Sequence, residues 1–268
     1  MGLMEGKKGL IVGVANDRSI AWGIAKALHR EGAELAFTYV GASLEKRVRP
    51  LAGSIGSKII LPCDVASDEE IASVFELLKE EWGHLDFLVH SVAFANKDEL
   101  KGAFYNTKRD GFSMAMDISA YSLVALTREA LPLMEGRNGS VVTLSYYGSE
   151  KVMPNYNVMG VAKAALEASV RYLAADLGPL GHRVNTISAG PVRTLAAAGI
   201  GDFRKIQLVN ELRTPFGRLV STDEIGSTAL YLCSDASTGM TGEILHVDCG
   251  FHAMSLSVKE AIHLSSNS

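Results

Sequence analysis

The chain has 268 residues, and its 26 Lys and Arg against 30 Asp and Glu give a formal net charge of −4. That balance argues against nucleic acid or an anionic membrane as the main partner. Hydrophobic residues are 47% of the total and charged residues 21%, an ordinary globular composition in a chain long enough to bury a large core.

The N-terminus, MGLMEGKKGLIVG, has no long apolar stretch of the signal-peptide kind, and no apolar run approaches the ~20 residues of a membrane span. The first strand candidate is GLIVG (9–13). A helical pattern over 19–31 follows, with Ser19 as candidate N-cap and Gly32 beyond its end. ELAFTYV (34–40) and KIILPC (58–63) are the next strand candidates. A helix over 68–82 follows Ser67 and places Asp68, Glu69 and Glu70 in its first turn, where the helix dipole favours acids. LDFLVHS (85–91), a helical pattern over about 112–134, SVVTLS (140–145), a helix over 157–177 and RVNTIS (183–188) come next. Residues 189 to about 219 form a long irregular stretch, before a helix over 222–234, a last strand EILHVD (243–248) and a frayed LSSNS tail.

These strand runs are short, continuous and rich in Val, Ile and Leu, as strands buried on both faces are. Seven of them separated by helices imply right-handed βαβ units. The expectation is one α/β domain over residues 1–268. It is a Rossmann-like, doubly wound, seven-stranded parallel sheet with helices on both faces, a substrate-covering lid over about 189–219 and a short tail over about 264–268. Three scattered cysteines, Cys63, Cys233 and Cys249, with no CxxC or HExxH pairing, read as reduced thiols of a cytoplasmic protein without a structural metal.

After the first strand the chain runs GVANDRSIAWGIAKAL. It lacks the G-x-G-x-x-G dinucleotide fingerprint. Gly13 and Gly23 bracket the turn, and N–H groups near Ser19 at a helix N-terminus can still face a pyrophosphate. A glycine turn with a serine cap is the bland alternative. The end of strand two, TYVGAS, offers neither a carboxylate for a ribose 2′-hydroxyl nor an arginine for a 2′-phosphate. The lack of a basic residue beside Val40 favours NADH. Asp64 can accept from an adenine amino group or cap its own turn.

SYYGSEKVMPNYNVMGVAK (145–163) holds Tyr146, Tyr147, Tyr156 and Lys163. The Tyr-x-x-x-Lys spacing is absent, because Met159 stands four residues before Lys163 and a thioether cannot donate a proton. Tyr156 lies seven residues before Lys163, two turns or ~10 Å along nearly the same helix face. Tyr146 falls just past a strand end, where such sheets bind ligands, and Tyr147 points elsewhere if the chain stays extended. These tyrosines can equally be packing residues. Lys163, among Ala162, Ala164 and Ala165, sits in a setting that calls for a dedicated partner.

On YNVMGVAKAALEASVRYLAADLG, SAGPVRTLAAAGI with DFRK, and HREGAELAFTY, the chain resembles the bacterial NADH-dependent enoyl-[acyl-carrier-protein] reductases, the divergent Tyr-x6-Lys branch of the short-chain dehydrogenase/reductase superfamily. The resemblance runs from Gly6 to about Phe251. It implies a homotetramer of fatty-acid synthesis acting on enoyl-acyl-carrier-protein. NADH would deliver hydride to the β-carbon of a trans-2-enoyl thioester, and the enolate would then be protonated at the α-carbon. It assigns Tyr156 to the thioester oxygen, Lys163 to the nicotinamide ribose and Tyr146 to a second active-site position. The implied cofactor contacts are Gly13, Ser19, Ile20, Val40, Asp64, Val65, Ser91, Val92, Lys163, Val192, Arg193, Thr194, Leu195 and Ala196, and Ala95 is an implied substrate contact. Two positions depart from the family pattern: Val40, where glutamine is frequent, and Ala93, where glycine is common.

The stretch from Leu195 to Ile200 can cover a fatty chain or be an ordinary connection, and Arg193, Arg204 and Lys205 can meet an acidic carrier protein or simply be solvated. A carbonyl reductase of the same superfamily would need tyrosine at position 159. A non-catalytic dinucleotide sensor would be expected to have lost Tyr156 or Lys163.

Overall fold

The computed structural model describes residues 2–192, 194 and 203–255. The apolar runs become strands β1 (Lys8–Val12), β2 (Glu34–Tyr39), β3 (Ile60–Pro62), β4 (Phe87–His90), β5 (Ser140–Ser145), β6 (Arg183–Ala189) and β7 (Ile244–Val247). They form one parallel sheet in the order β3-β2-β1-β4-β5-β6-β7. Strand order reverses between β1 and β4, where Val12 pairs with His90, so the crevice at their carboxyl ends is the switch point of the fold.

Alternation along each strand feeds two apolar layers. Leu10, Val12, Leu88, Val141 and Val184 meet side chains of α3 (Asp68–Trp82), α5 (Ser122–Met134) and α6 (Asn157–Leu177) on one face. Ile11, Phe37, Val89, Val142 and Ile187 meet α1 (Ile20–Arg30) and α8 (Thr222–Cys233) on the other. Each fully buried large side chain contributes about 1.5–3 kcal/mol over its exposed state.

The expected N-cap of α3 is present, and the structure adds a glycine C-cap. Ser67 accepts from the Glu70 N–H at 3.1 Å, and the helix ends at Gly83 with φ +70°. Ser19 occupies the N-cap position of α1 but makes no side-chain cap. Its hydroxyl turns back to accept from the N–H groups of Ala15 and Asn16, both at 3.0 Å, because the β1–α1 turn has its own donors to satisfy. Gly23 is no part of that turn. It lies inside α1 and faces α8.

Two helices escape the sequence reading. α2 (Gly41–Ser54) contains Pro50 and buries only Val48 and Ala52, so its apolar stripe is faint. α7 (Phe203–Arg213) lies within the stretch expected to be irregular. The helix expected over about 112–134 is interrupted. α4 (Arg109–Met116) passes through a π-helical turn at Asp117–Tyr121 into α5.

α1 and α8 cross at a pair of glycines. A Cβ on Gly226 would stand 2.7 Å from the Gly23 carbonyl oxygen, and one on Gly23 would stand 2.7 Å from Thr222. Alanine raises helix propensity by about 1 kcal/mol over glycine, but here it pushes backbone against backbone. Gly226→Ala should therefore lower stability by about 1–3 kcal/mol in urea denaturation; a stabilised variant would refute the packing argument.

Candidate active site

The backbone presents Tyr156 from an irregular entry into α6. Tyr156 is the residue just before the helix, flanked by Asn155 at φ 60° and Asn157 at φ 35°, left-handed positions that asparagine tolerates better than most residues. Its ring packs edge-on against Tyr146, with centroids 5.1 Å apart and planes at 78°. Gly148 allows this approach, since a Cβ there would fall 2.5 Å from the Tyr156 ring. Tyr147 turns away to pack against Phe251 and His246, and its hydroxyl donates to the His252 carbonyl at 3.4 Å. The two neighbouring tyrosines diverge because the chain leaves its extended course after Tyr146 and turns into a 3-10 helix at Tyr147, so strand alternation does not set their directions.

Lys163 is buried, and its ammonium donates to the Leu144 carbonyl of β5 at 2.6 Å. Burial pulls its pKa down to about 8, with the Glu167 carboxylate pulling the other way. Burial raises the Tyr156 phenol above its ordinary value, and Tyr146 and Glu167 add to the rise. Burial likewise pushes Tyr146 up to about 12, against an opposite pull from the Asn210 amide on α7. Neither the Tyr146 hydroxyl nor Asn210 Oδ1 closes a hydrogen bond among the described residues. Both phenols therefore stay protonated donors across the physiological range, beside an ammonium close to its titration point.

His90 closes the end of β4. Its Nδ1 lies 2.7 Å from Thr143 Oγ1 and its Nε2 lies 2.8 Å from Ser122 Oγ. Ser122 gives its one proton to the Ile118 carbonyl, at 2.7 Å, within the π turn. It can then only accept from His90, which assigns the proton to Nε2 and leaves Nδ1 accepting from Thr143. Ser119 in the same turn accepts from the Phe94 N–H at 2.9 Å and donates to the Phe94 carbonyl at 3.0 Å. That double contact fixes the loop after β4. His90, Ser119 and Glu167 were not singled out in the sequence. The signal for them was a polar residue inside an apolar run, as in LDFLVHS and KAALEAS.

The switch point gathers Gly13, Ser91 and Val92. Gly13 has φ +109°, and a Cβ on it would stand 2.1 Å from the Ser91 carbonyl oxygen, so only glycine fits between the ends of β1 and β4. Ser19 and Ile20 stand at the start of α1 beside them. Val40 is half-exposed and begins α2. Asp64 uses Oδ1 to accept from the Ala66 N–H at 3.0 Å, so its turn-capping role is realised, and Val65 beside it is buried. Val192 packs on the core, and the Thr194 N–H donates to its carbonyl at 2.9 Å. Ala95 packs in a small cluster with Tyr146, Tyr156 and Met159. Arg193, Leu195 and Ala196 lie outside the described residues. Among the described residues no group of three or more His, Cys, Asp or Glu is placed to hold a metal ion.

This geometry has close counterparts. The family model described as enoyl-(acyl carrier protein) reductase matches residues 13–252. The chain belongs to that family. It is 58% identical to the enoyl-[acyl-carrier-protein] reductase [NADH] FabI of Aquifex aeolicus, over 97% of this chain and 96% of the relative. It is 57% identical to enoyl-[acyl-carrier-protein] reductase [NADH] 1 of Rhizobium meliloti, over 98% of this chain and 97% of the relative. A solved structure of the enoyl-(acyl-carrier-protein) reductase of Anaplasma phagocytophilum in complex with NAD superposes with a TM-score of 0.92. It has 56% sequence identity, and the match covers 96% of this chain and 97% of that one.

In this reductase Met159 is a core residue. It is buried with Leu100, Val158 and Tyr156, and Ser119 Oγ approaches its sulfur at 3.8 Å. The position one turn before Lys163 thus carries no proton donor. The neutral state of His90 has its own consequence. Burial first, and the Lys163 charge second, hold its pKa down to about 3, well below the ~6.5 of an unfolded chain. The unfolded state then binds more protons between those values, so stability rises with pH across the window. Stability should fall as pH drops from about 6.5 toward 3, and fall less steeply in His90→Gln, whose amide takes up no proton. Urea denaturation at several pH values reads both slopes, and equal slopes would refute the assignment.

Proposed function

We propose that the protein reduces the trans-2 double bond of enoyl-[acyl-carrier-protein] thioesters with NADH, the last step of each elongation cycle in bacterial type II fatty-acid synthesis. The observation that carries this reading is the pairing of a protonated Tyr156 phenol with a buried Lys163 ammonium, and no phenol at position 159. The residues fit a dinucleotide: a glycine-only contact at the switch point, a helix N-terminus beside it and a buried cation with donors to spare.

When bound, NADH supplies the hydride. Tyr156 donates a hydrogen bond to the thioester oxygen, where negative charge grows during reduction. Its raised pKa keeps the proton on the phenol as a donor, and the buried, low-dielectric setting strengthens that bond. Lys163 keeps one donor on the Leu144 carbonyl, which aims the others at the ribose hydroxyls, and its positive charge supports the phenol. Tyr146, whose hydroxyl has no partner among the described residues, positions the acyl chain or carbonyl. Gly13, Ser19, Ile20, Asp64, Val65, Ser91, Val92, Val192, Arg193, Thr194, Leu195 and Ala196 hold the dinucleotide, Val40 flanks its adenosine end, and Ala95 touches substrate.

The chain acts as a single domain with residues 189–219 as its lid. α7 is part of that lid, and Arg204 and Lys205 on it suit an acidic carrier protein. Four copies assemble, which would cover the apolar residues Phe112, Met114, Tyr121, Val161 and Tyr172 on the outer surfaces of α4, the π turn and α6. Free thiols at Cys63, Cys233 and Cys249 suit the cytoplasm, and no described helix is long and apolar enough to cross a membrane.

Mixing the protein with NADH and crotonyl thioester should deplete the nicotinamide absorbance in the near-UV. Depletion with acetoacetyl thioester alone would make it a carbonyl reductase, and none with either substrate would make it a sensor. Tyr156→Phe should lower kcat by about 10²–10³, the cost of one lost oxyanion donor, while NADH affinity changes little. Lys163→Ala should weaken NADH binding itself, read by nucleotide fluorescence; normal binding would remove the ribose role.

A further inference from the structure

Glu167 is a buried carboxylate for which the proposed reaction has no use. It sits on α6 one helical turn after Lys163, on the same face. Two serine hydroxyls converge on a single oxygen, Oε1. Ser145, the last residue of β5, donates to it, and Ser149 donates to it at 2.6 Å. Between those serines run Tyr146 and the 3-10 turn Tyr147–Ser149. One oxygen atom of α6 therefore grips both ends of the segment that delivers Tyr146 to Tyr156.

We propose that Glu167 is a positioning residue with two tasks: it ties the Tyr146 turn to α6 and acts as the fixed counter-charge that keeps Lys163 an ammonium. The inference rests on the reading of this site as an NADH site. An unpaired acid and an unpaired base are each costly to bury, and here the two are buried one turn apart on the same face of α6. From β4, His90 faces Lys163 as a neutral imidazole; from β5, the Leu144 carbonyl takes one ammonium proton. The phenols of Tyr146 and Tyr156 stay protonated, and Asp248, after β7, acts on Tyr146. Burial brings the Lys163 ammonium down to about 8, and Glu167 opposes its deprotonation.

Glu167→Gln and Ser149→Ala separate the two tasks. Glutamine keeps an acceptor oxygen for both serines and removes the charge. Alanine at 149 removes one tie and keeps the charge. NADH binding followed by fluorescence across pH should weaken in the wild type with a midpoint near 8, as Lys163 loses its proton. In Glu167→Gln that midpoint should fall by about one pH unit, the scale of a unit charge one helical turn away at a moderate effective dielectric. Ser149→Ala should keep the midpoint and lose about tenfold in kcat, as a shift of an active-site group costs rate more than binding.

An unmoved midpoint in a Glu167→Gln protein with native far-UV circular dichroism overturns the counter-charge. If that variant does not fold, Ser149→Ala decides alone, since it buries no new charge, and an unchanged kcat overturns the tie. A wild type that binds no NADH at any pH removes the functional reading and this one with it. A wild type that binds normally while neither variant shifts removes this one alone.

Discussion

A buried ammonium is the constraint around which this site is organised. Taking the Lys163 side chain out of water costs free energy unless dipoles and a charge replace the solvent. The replacements come from three elements. β5 turns a backbone carbonyl inward at Leu144, α6 supplies the Glu167 carboxylate, and β4 supplies a neutral histidine whose proton is held on Nε2 by Ser122. The last provision is the least obvious. A charged His90 would stand as a second cation in the same interior, and burial together with the Lys163 charge keeps the imidazole neutral, so the two groups settle with one positive charge between them.

The parallel sheet makes that arrangement possible. All seven strands present their carboxyl ends to one edge, and the reversal of order between β1 and β4 opens the crevice there. Gly13 lets the two strand ends come within contact distance. β5 and α6 then reach the same edge from the neighbouring position, which brings Lys163 to the end of β5 and packs Tyr146 and Tyr156 with Ala95 of the loop after β4. The π turn contributes to this twice. It holds the Ile118 carbonyl that accepts from Ser122 Oγ, and it brings Ser119 onto the backbone of Phe94.

Most of the architecture was legible because burial on both faces forces continuous apolar strands, as in SVVTLS and RVNTISA, whatever else the chain does. The start of α3 was legible for a local reason, a serine cap with three acids after it. α2 was not, because Pro50 and Gly53 dilute the helical pattern and only two of its side chains are buried. Ser19 shows the limit of local rules. The residue stands where a cap belongs, but the turn's own N–H groups claim its hydroxyl. In the site, the seven-residue spacing drew attention to Tyr156 and Lys163, but its premise of one shared helix face fails because Tyr156 precedes the helix. Glu167 and His90 were hidden, since their roles depend on contacts with β5 and with the π turn that no periodicity announces.

The spacing itself has a structural logic. Tyr156 is not a helical residue two regular turns from Lys163. It stands before the first turn of α6, on a backbone bent through left-handed conformations at Asn155 and Asn157. That bend lets the phenol ring pack edge-on against Tyr146 instead of following the helix face. The position one turn before Lys163 is then taken into the core, where Met159 fills a gap between Leu100, Val158 and the Tyr156 ring, and a flexible thioether suits such an irregular space. A tyrosine there would have to bury its hydroxyl beside the Ser119 clamp or displace the Tyr156 ring. The Tyr-x6-Lys arrangement is thus a packing choice as much as a chemical one. The core that supports the phenol from below excludes a second phenol at the alternative position, and the asparagines that strain the entry to α6 set which of the two the chain can use.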